Sequence, residues 1–188
     1  MRRLTTQKAV HFTVAWAVAG ICSPATSAPL VETGAFLQIV RDACLDRGDS
    51  KEALGKLAKI RGWAAAPSEE LTRNGTAYST MVGGWTFALG QNAFAVMQSE
   101  FRAPYDGYVC SVTTKLSNSN VHAQMKIEFS KKFGAAITEE IESPRKHTDR
   151  YWINRDRKPP IKASLVFDRT SNTITVRMIL GRYYPVES

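Results

Sequence analysis

The chain predicts an α+β fold: two N-terminal helices, an antiparallel β-meander, one central helix, and C-terminal antiparallel strands, packed as a helix-on-sheet domain. Three observations predict it. Apolar residues recur at helical spacing over 32–61 and again over 121–133. Between and after those stretches the pattern alternates with period two. Short turn sequences separate the alternating runs, and strands joined that way run antiparallel, which excludes a wound parallel sheet.

Residues 32–47 read as a helix in which Phe36, Val40 and Cys44 fall at i, i+4 and i+8, with Leu37 flanking and Gly48 as the stop. Ser50 caps a second helix over 51–61, with Leu54, Leu57 and Ala58 inward and Lys51, Glu52, Lys56 and Lys59 toward water. Gly62 ends it and Trp63 follows. Residues 64–75 read as a loop with a helical turn at 68–71 and a glycosylation-type Asn74-Gly75-Thr76, to which a bacterial leader gives little weight.

From Tyr78 the period changes. A first strand carries Met81, Val82, Trp85, Phe87 and Leu89 and is interrupted by Gly83-Gly84. Gly90-Gln91-Asn92 turns the chain into a second strand over 94–101, and Pro104-Tyr105-Asp106-Gly107 into a third over 108–116. In the third, Tyr108, Cys110, Val112 and Thr114 share a face. Asn118-Ser119-Asn120 offers caps for a helix whose Val121, Met125, Phe129 and Phe133 are spaced by four, stopped by Gly134. Strands follow over 136–141, 150–154, 161–168 and 173–180, with Asp168 to Asn172 as the last hairpin.

The N-terminus reads as a cleavable secretory signal over 1–27, with one α+β domain over 28–188. Arg2, Arg3 and Lys8 make a positive start, residues 9–22 form an apolar run, and Ser23-Pro24-Ala25-Thr26-Ser27-Ala28 supplies a breaker and small residues. The run is 14 residues, short of the roughly 20 that span a bilayer. The expected location is therefore the bacterial periplasm or the exterior, with no transmembrane segment in the mature form. The leader holds three of the 25 basic residues and none of the 17 acidic ones, so 22 − 17 leaves a net charge of +5. That excess does not indicate nucleic acid, and an envelope protein or an anionic envelope polymer is the more natural acidic partner.

Cleavage leaves two cysteines, Cys44 and Cys110. In an oxidising compartment they are expected to pair. No C-x-x-C occurs and no histidine lies near either in sequence, so a catalytic thiol is not expected.

No enzyme or cofactor motif stands out. Residues 48–57 resemble a phosphate loop, but six residues rather than four separate the glycines and Leu57 stands where Ser or Thr belongs. There is no G-x-S-x-G, and Ser143-Pro144-Arg145-Lys146 lacks the motifs that accompany S-x-x-K. His122 and His147 are 25 residues apart, so neither a metal site nor a cofactor is expected. The strongest signal outside the core is charge: ten basic residues against three acidic ones between Arg145 and Arg182, with Tyr151, Trp152, Tyr183 and Tyr184 interleaved. Arg145, Lys146, Arg150, Trp152, Arg155, Arg157 and Lys158 make a candidate surface for an anionic partner. The competing interpretation is a solvated sheet face with cationic stems over apolar surface.

Cys44, then Gly62-Trp63, then a strand with Trp85, then Cys110-Ser111-Val112 is an arrangement that resembles uncharacterised small exported proteobacterial proteins. In those, a helix cysteine and a strand cysteine frame a Gly-Trp or Gly-Phe turn. The resemblance spans about residues 36–115 and implies a periplasmic or secreted α+β domain, with no catalytic residues carried over. The expected function is that of a non-enzymatic, disulfide-stabilised domain that acts by binding. The alternatives are a small periplasmic hydrolase or ligand carrier, marked by a pocket gathering His122 or His147 with a carboxylate, and an inhibitor or immunity-type protein for an envelope enzyme.

Overall fold

A computed structural model describes residues 33–66, 79–101, 107–116, 121–153 and 161–181. The expected leader lies outside them, as do the 68–71 turn, the sequon, the caps at 118–120, and Arg155, Arg157 and Lys158.

The α+β architecture is as the patterning predicts. Helix α1 (Thr33–Val40) passes into a π-helical turn (Arg41–Leu45), and α2 (Lys51–Ile60) follows. Strands β1 (Ala64–Ala65), β2 (Ser79–Leu89), β3 (Asn92–Phe101) and β4 (Tyr108–Lys115) come next, then helix α3 (Val121–Phe133). Strands β5 (Ala136–Glu142), β6 (Lys146–Ile153), β7 (Ile161–Asp168) and β8 (Thr173–Leu180) complete the order. All eight strands form one antiparallel sheet in the order β1-β2-β3-β4-β8-β7-β6-β5. Two four-stranded halves thus meet at the β4–β8 seam, where Cys110 stands opposite Met178 and Val112 opposite Val176.

One face of the sheet carries the core. Phe94, Val96, Cys110, Val112, Leu165, Ile174, Val176 and Met178 are buried there together with Phe36, Leu37, Val40, Leu54, Met125 and Phe129 of the helices. Trp63 stacks on Phe87 at 4.4 Å, Phe87 on Phe94 at 5.1 Å, and Phe94 faces Phe36 at 6.3 Å. This aromatic row joins the end of α2, the sheet and α1. Gly62 at φ +66° makes the row possible: Trp63 N–H donates to Ala58 O at 2.9 Å and Gly62 N–H to Lys59 O at 3.2 Å, a Schellman ending that turns the indole back onto the core.

Three details differ from the sequence expectation. The first helix changes register at Arg41, and Asp46 N–H donates to Arg41 O across the wider turn. That turn brings Ala43 and Cys44 both to full burial. The loop expected from Ala64 begins instead with a short strand paired to Trp85 and Thr86. Strand β6 begins at Lys146 rather than Arg150, because backbone pairing to β5 and β7 on both sides holds a run of polar side chains extended.

The disulfide between Cys44 and Cys110 is present, with Cα atoms 5.3 Å apart, and ties the π-helical turn to β4. Ser50 is the N-cap of α2, its Oγ accepting from Ala53 N–H at 3.2 Å. Ser50→Ala is expected to cost about 1 kcal/mol, and Ser50→Asp to retain most of it, as read from denaturation midpoints.

Candidate functional site

Strand β6 alternates faces. Lys146, Thr148, Arg150 and Trp152 look away from the helices, while His147, Asp149, Tyr151 and Ile153 look toward them. Helix α3 buries Val121, Met125, Phe129 and Phe133, and the next stripe of its surface carries His122 and Lys126. That stripe lies over β5 and β6. The result is a polar cluster between α3 and the sheet, assembled from residues far apart in sequence.

Asp149 is its centre. The side chain is fully buried. His147 Nε2 lies 2.9 Å from its Oδ1 and His122 Nε2 lies 3.3 Å from its Oδ2. Lys126 Nζ is 3.5 Å from Oδ1 and 2.7 Å from Glu140 Oε1 on β5. The His122–Asp149 contact has charge-pair distance but not hydrogen-bond geometry, so His122 Nε2 and Asp149 Oδ2 are both buried without a hydrogen bond. A second layer fixes the histidines. His147 Nδ1 contacts Glu142 Oε2, and Glu142 is held in turn by Arg169. The His122 ring stacks on Phe167 with centroids 5.3 Å apart and meets His147 edge-on at 4.8 Å. The nearest ligating atoms of His122, His147 and Asp149 all lie within 4.8 Å of one another.

The electrostatics separate the two histidines. Burial lowers the His122 pKa, offset in part by Asp149 and deepened by the neighbouring His147. Burial also acts against the His147 imidazolium, but hydrogen bonds to Glu142 and Asp149 outweigh it and the pKa is raised. The Lys126 pKa is raised, chiefly by its bond to Glu140. Burial, with Asp149 and Glu140 nearby, pushes the Tyr151 hydroxyl far up, so it stays protonated. One imidazole biased toward its neutral form with Nε2 free of hydrogen bonds, one imidazole clamped by carboxylates and one buried carboxylate are a donor set for a cation or a proton relay.

The basic surface looks different in three dimensions. Arg150 pairs with Glu139 across β5 and β6 at 2.5 Å. Lys146 lies 3.8 Å from Asp168. The Trp152 ring sits 4.9 Å under Lys162 Nζ. Arg145 is exposed on the turn before β6, its carbonyl accepting from Arg169 N–H at 2.8 Å. So Lys146, Arg150 and Trp152 share one face of β6, and two of its cations are engaged by local carboxylates.

No family model, curated protein or solved structure matches the chain. The cluster itself therefore carries the functional reading.

His122 and His147 stand out in the sequence, but their meeting does not. The clue present was His147-Thr148-Asp149, an i, i+2 pair that shares a face only if residue 147 is already in a strand. In sequence, 25 residues separate the histidines, the cysteines are expected to pair and the adjacent glutamates alternate faces, which together argue against a metal site; the crossing of α3 over β6 removes the first of these obstacles in space.

Proposed function

We propose that this chain is an exported, disulfide-stabilised binding domain of the bacterial envelope, and that its ligand centre is the His122–His147–Asp149 cluster. One observation carries the binding centre: Asp149 is fully buried, faces two imidazoles, and leaves Oδ2 without a hydrogen bond. A buried carboxylate costs several kcal/mol unless it is compensated. Titratable groups perturbed by burial and gathered around one carboxylate are a recognised mark of functional sites. Export is supported by the signal-like N-terminus, by the cysteine pair and by the resemblance to small exported proteobacterial proteins. Because Arg150 and Lys146 are engaged by Glu139 and Asp168, the cluster takes precedence over the basic face of β6 as the place where a ligand is held.

A second reading is a small periplasmic hydrolase using the same residues, since His122 facing a carboxylate is also an acid–base pair. The full chain, expressed with its own leader and recovered from the envelope fraction, distinguishes the two. Native mass spectrometry is expected to show a start near Ala28 and a bound mass that is lost in Asp149→Asn. Absence of any adduct, together with turnover of chromogenic phosphate or carboxylate esters that Asp149→Asn abolishes, would replace the binding reading with the hydrolase.

A further inference from the structure

We infer that His122, His147 and Asp149 form a site for a divalent transition cation of the zinc class, with Glu142 as the outer carboxylate that aims His147. The inference rests on the reading that this cluster is the ligand centre, and it names the ligand's chemistry.

The donor set is two imidazoles and one carboxylate, the kind that zinc takes when a further position stays open to water or a ligand. Calcium and magnesium prefer oxygen ligands, so they fit this set poorly. Around zinc, ligand atoms at 2.0–2.2 Å in tetrahedral array lie about 3.3 Å from each other. His122 Nε2 and Asp149 Oδ2 are already 3.3 Å apart, and neither makes a hydrogen bond. His147 Nε2 lies 2.9 Å from the other oxygen, Asp149 Oδ1, and the ligand atoms of the three residues lie within 4.8 Å of one another, so the set has to contract by small side-chain rotations to close on one cation.

The outer layer matches as well. A ligating histidine usually donates its other N–H to a carboxylate, which fixes the tautomer. His147 Nδ1 meets Glu142, and Glu142 is tethered by Arg169. With Nδ1 donating to Glu142, Nε2 faces Asp149 either as the N–H of an imidazolium that donates to it or, once that proton is displaced, as a lone pair for a metal. The charges that face the site are Asp149, Glu140 and Glu142 against Lys126 and Arg169. Lys126 already makes its shorter contact with Glu140, so it has a partner when a cation takes over Asp149.

The test uses the full chain expressed with its own leader, purified without a polyhistidine tag and stripped with chelator. Titration with zinc chloride against a competing chelator is expected to show one strong site. His122→Ala and His147→Ala are expected to weaken it by at least about 100-fold, and Glu142→Gln by about 10-fold, the scale of an outer partner. Glu139→Gln, on the far face of the sheet, should bind as the parent does. Cobalt substitution of the parent chain gives a spectrum reporting nitrogen and oxygen ligation, independent of whether any variant folds. Zinc binding that is absent, or equally strong in both histidine variants, overturns the site and leaves a proton-bridged ion network. An organic adduct lost in Asp149→Asn, with no zinc binding, overturns the metal and retains the ligand centre. Neither adduct nor zinc overturns both.

Discussion

Replacing Cys44 and Cys110 together by alanine is expected to lower the unfolding free energy by about 4 kcal/mol and the melting temperature by roughly 10 °C. The two residues are 66 apart in sequence, so the bond removes a long-range freedom from the unfolded chain. It also fastens two different layers. Cys44 lies in the π-helical turn that closes the N-terminal helical segment, and Cys110 lies in β4 beside the seam with β8. Both side chains are fully buried, so the double variant also leaves unfilled volume where the layers meet. Chemical denaturation of the parent chain with and without reductant should reproduce most of the loss. A change below about 1 kcal/mol would show that apolar contacts alone hold the helices on the sheet, because an intact long-loop bridge typically contributes 2–4 kcal/mol.

Gly48→Ala is expected to be nearly as damaging, at about 3 kcal/mol. A methyl group at Gly48 would meet Cys44 O, with Leu180 Cδ1 at 2.6 Å and Cys110 Cβ at 2.9 Å. Two of those neighbours belong to the bridged cysteines and cannot give way independently. Gly48 O also accepts a buried bond from Gln98 Nε2 at 2.8 Å, which any shift of this backbone breaks. The substitution thus combines overpacking with an unsatisfied buried amide. Gly55→Ala, in the middle of α2 with open space around its Cβ, is the matched control and should be neutral or slightly stabilising. A Gly48→Ala protein with the parent's denaturation midpoint would mean that the layers are free to separate there.

Much of the fold was legible because local periodicity and turn chemistry act within a few residues. Ser50 ahead of the α2 pattern, Gly62 and Gly134 behind α2 and α3, and the Gly90-Gln91 turn all do locally what their chemistry predicts. The strands over 161–168 and 173–180 alternate so regularly that their bounds follow from the sequence. Where a segment takes its shape from its neighbours, the sequence was less informative. Lys146 to Asp149 carries no β-favouring run, and only pairing on both sides makes it strand. The two-residue β1 likewise exists only because β2 offers it an edge.

The candidate site divides along the same line. Sequence by itself determined the α+β class, the pairing of the two cysteines, and the presence of His122 and His147 in one chain. Tertiary structure decided that these histidines meet. Helix α3 leaves β4 near the seam and returns the chain to the far edge of the sheet at β5, so its polar stripe crosses β6 on the way. That crossing places His122 and Lys126 over Asp149. It also converts a carboxylate that reads as one charge in a basic stretch into the buried centre of a group that includes His122, Lys126 and His147. Periodicity specifies which face a side chain takes, but which faces meet is set by long-range burial and strand pairing, and these depend on the whole chain at once.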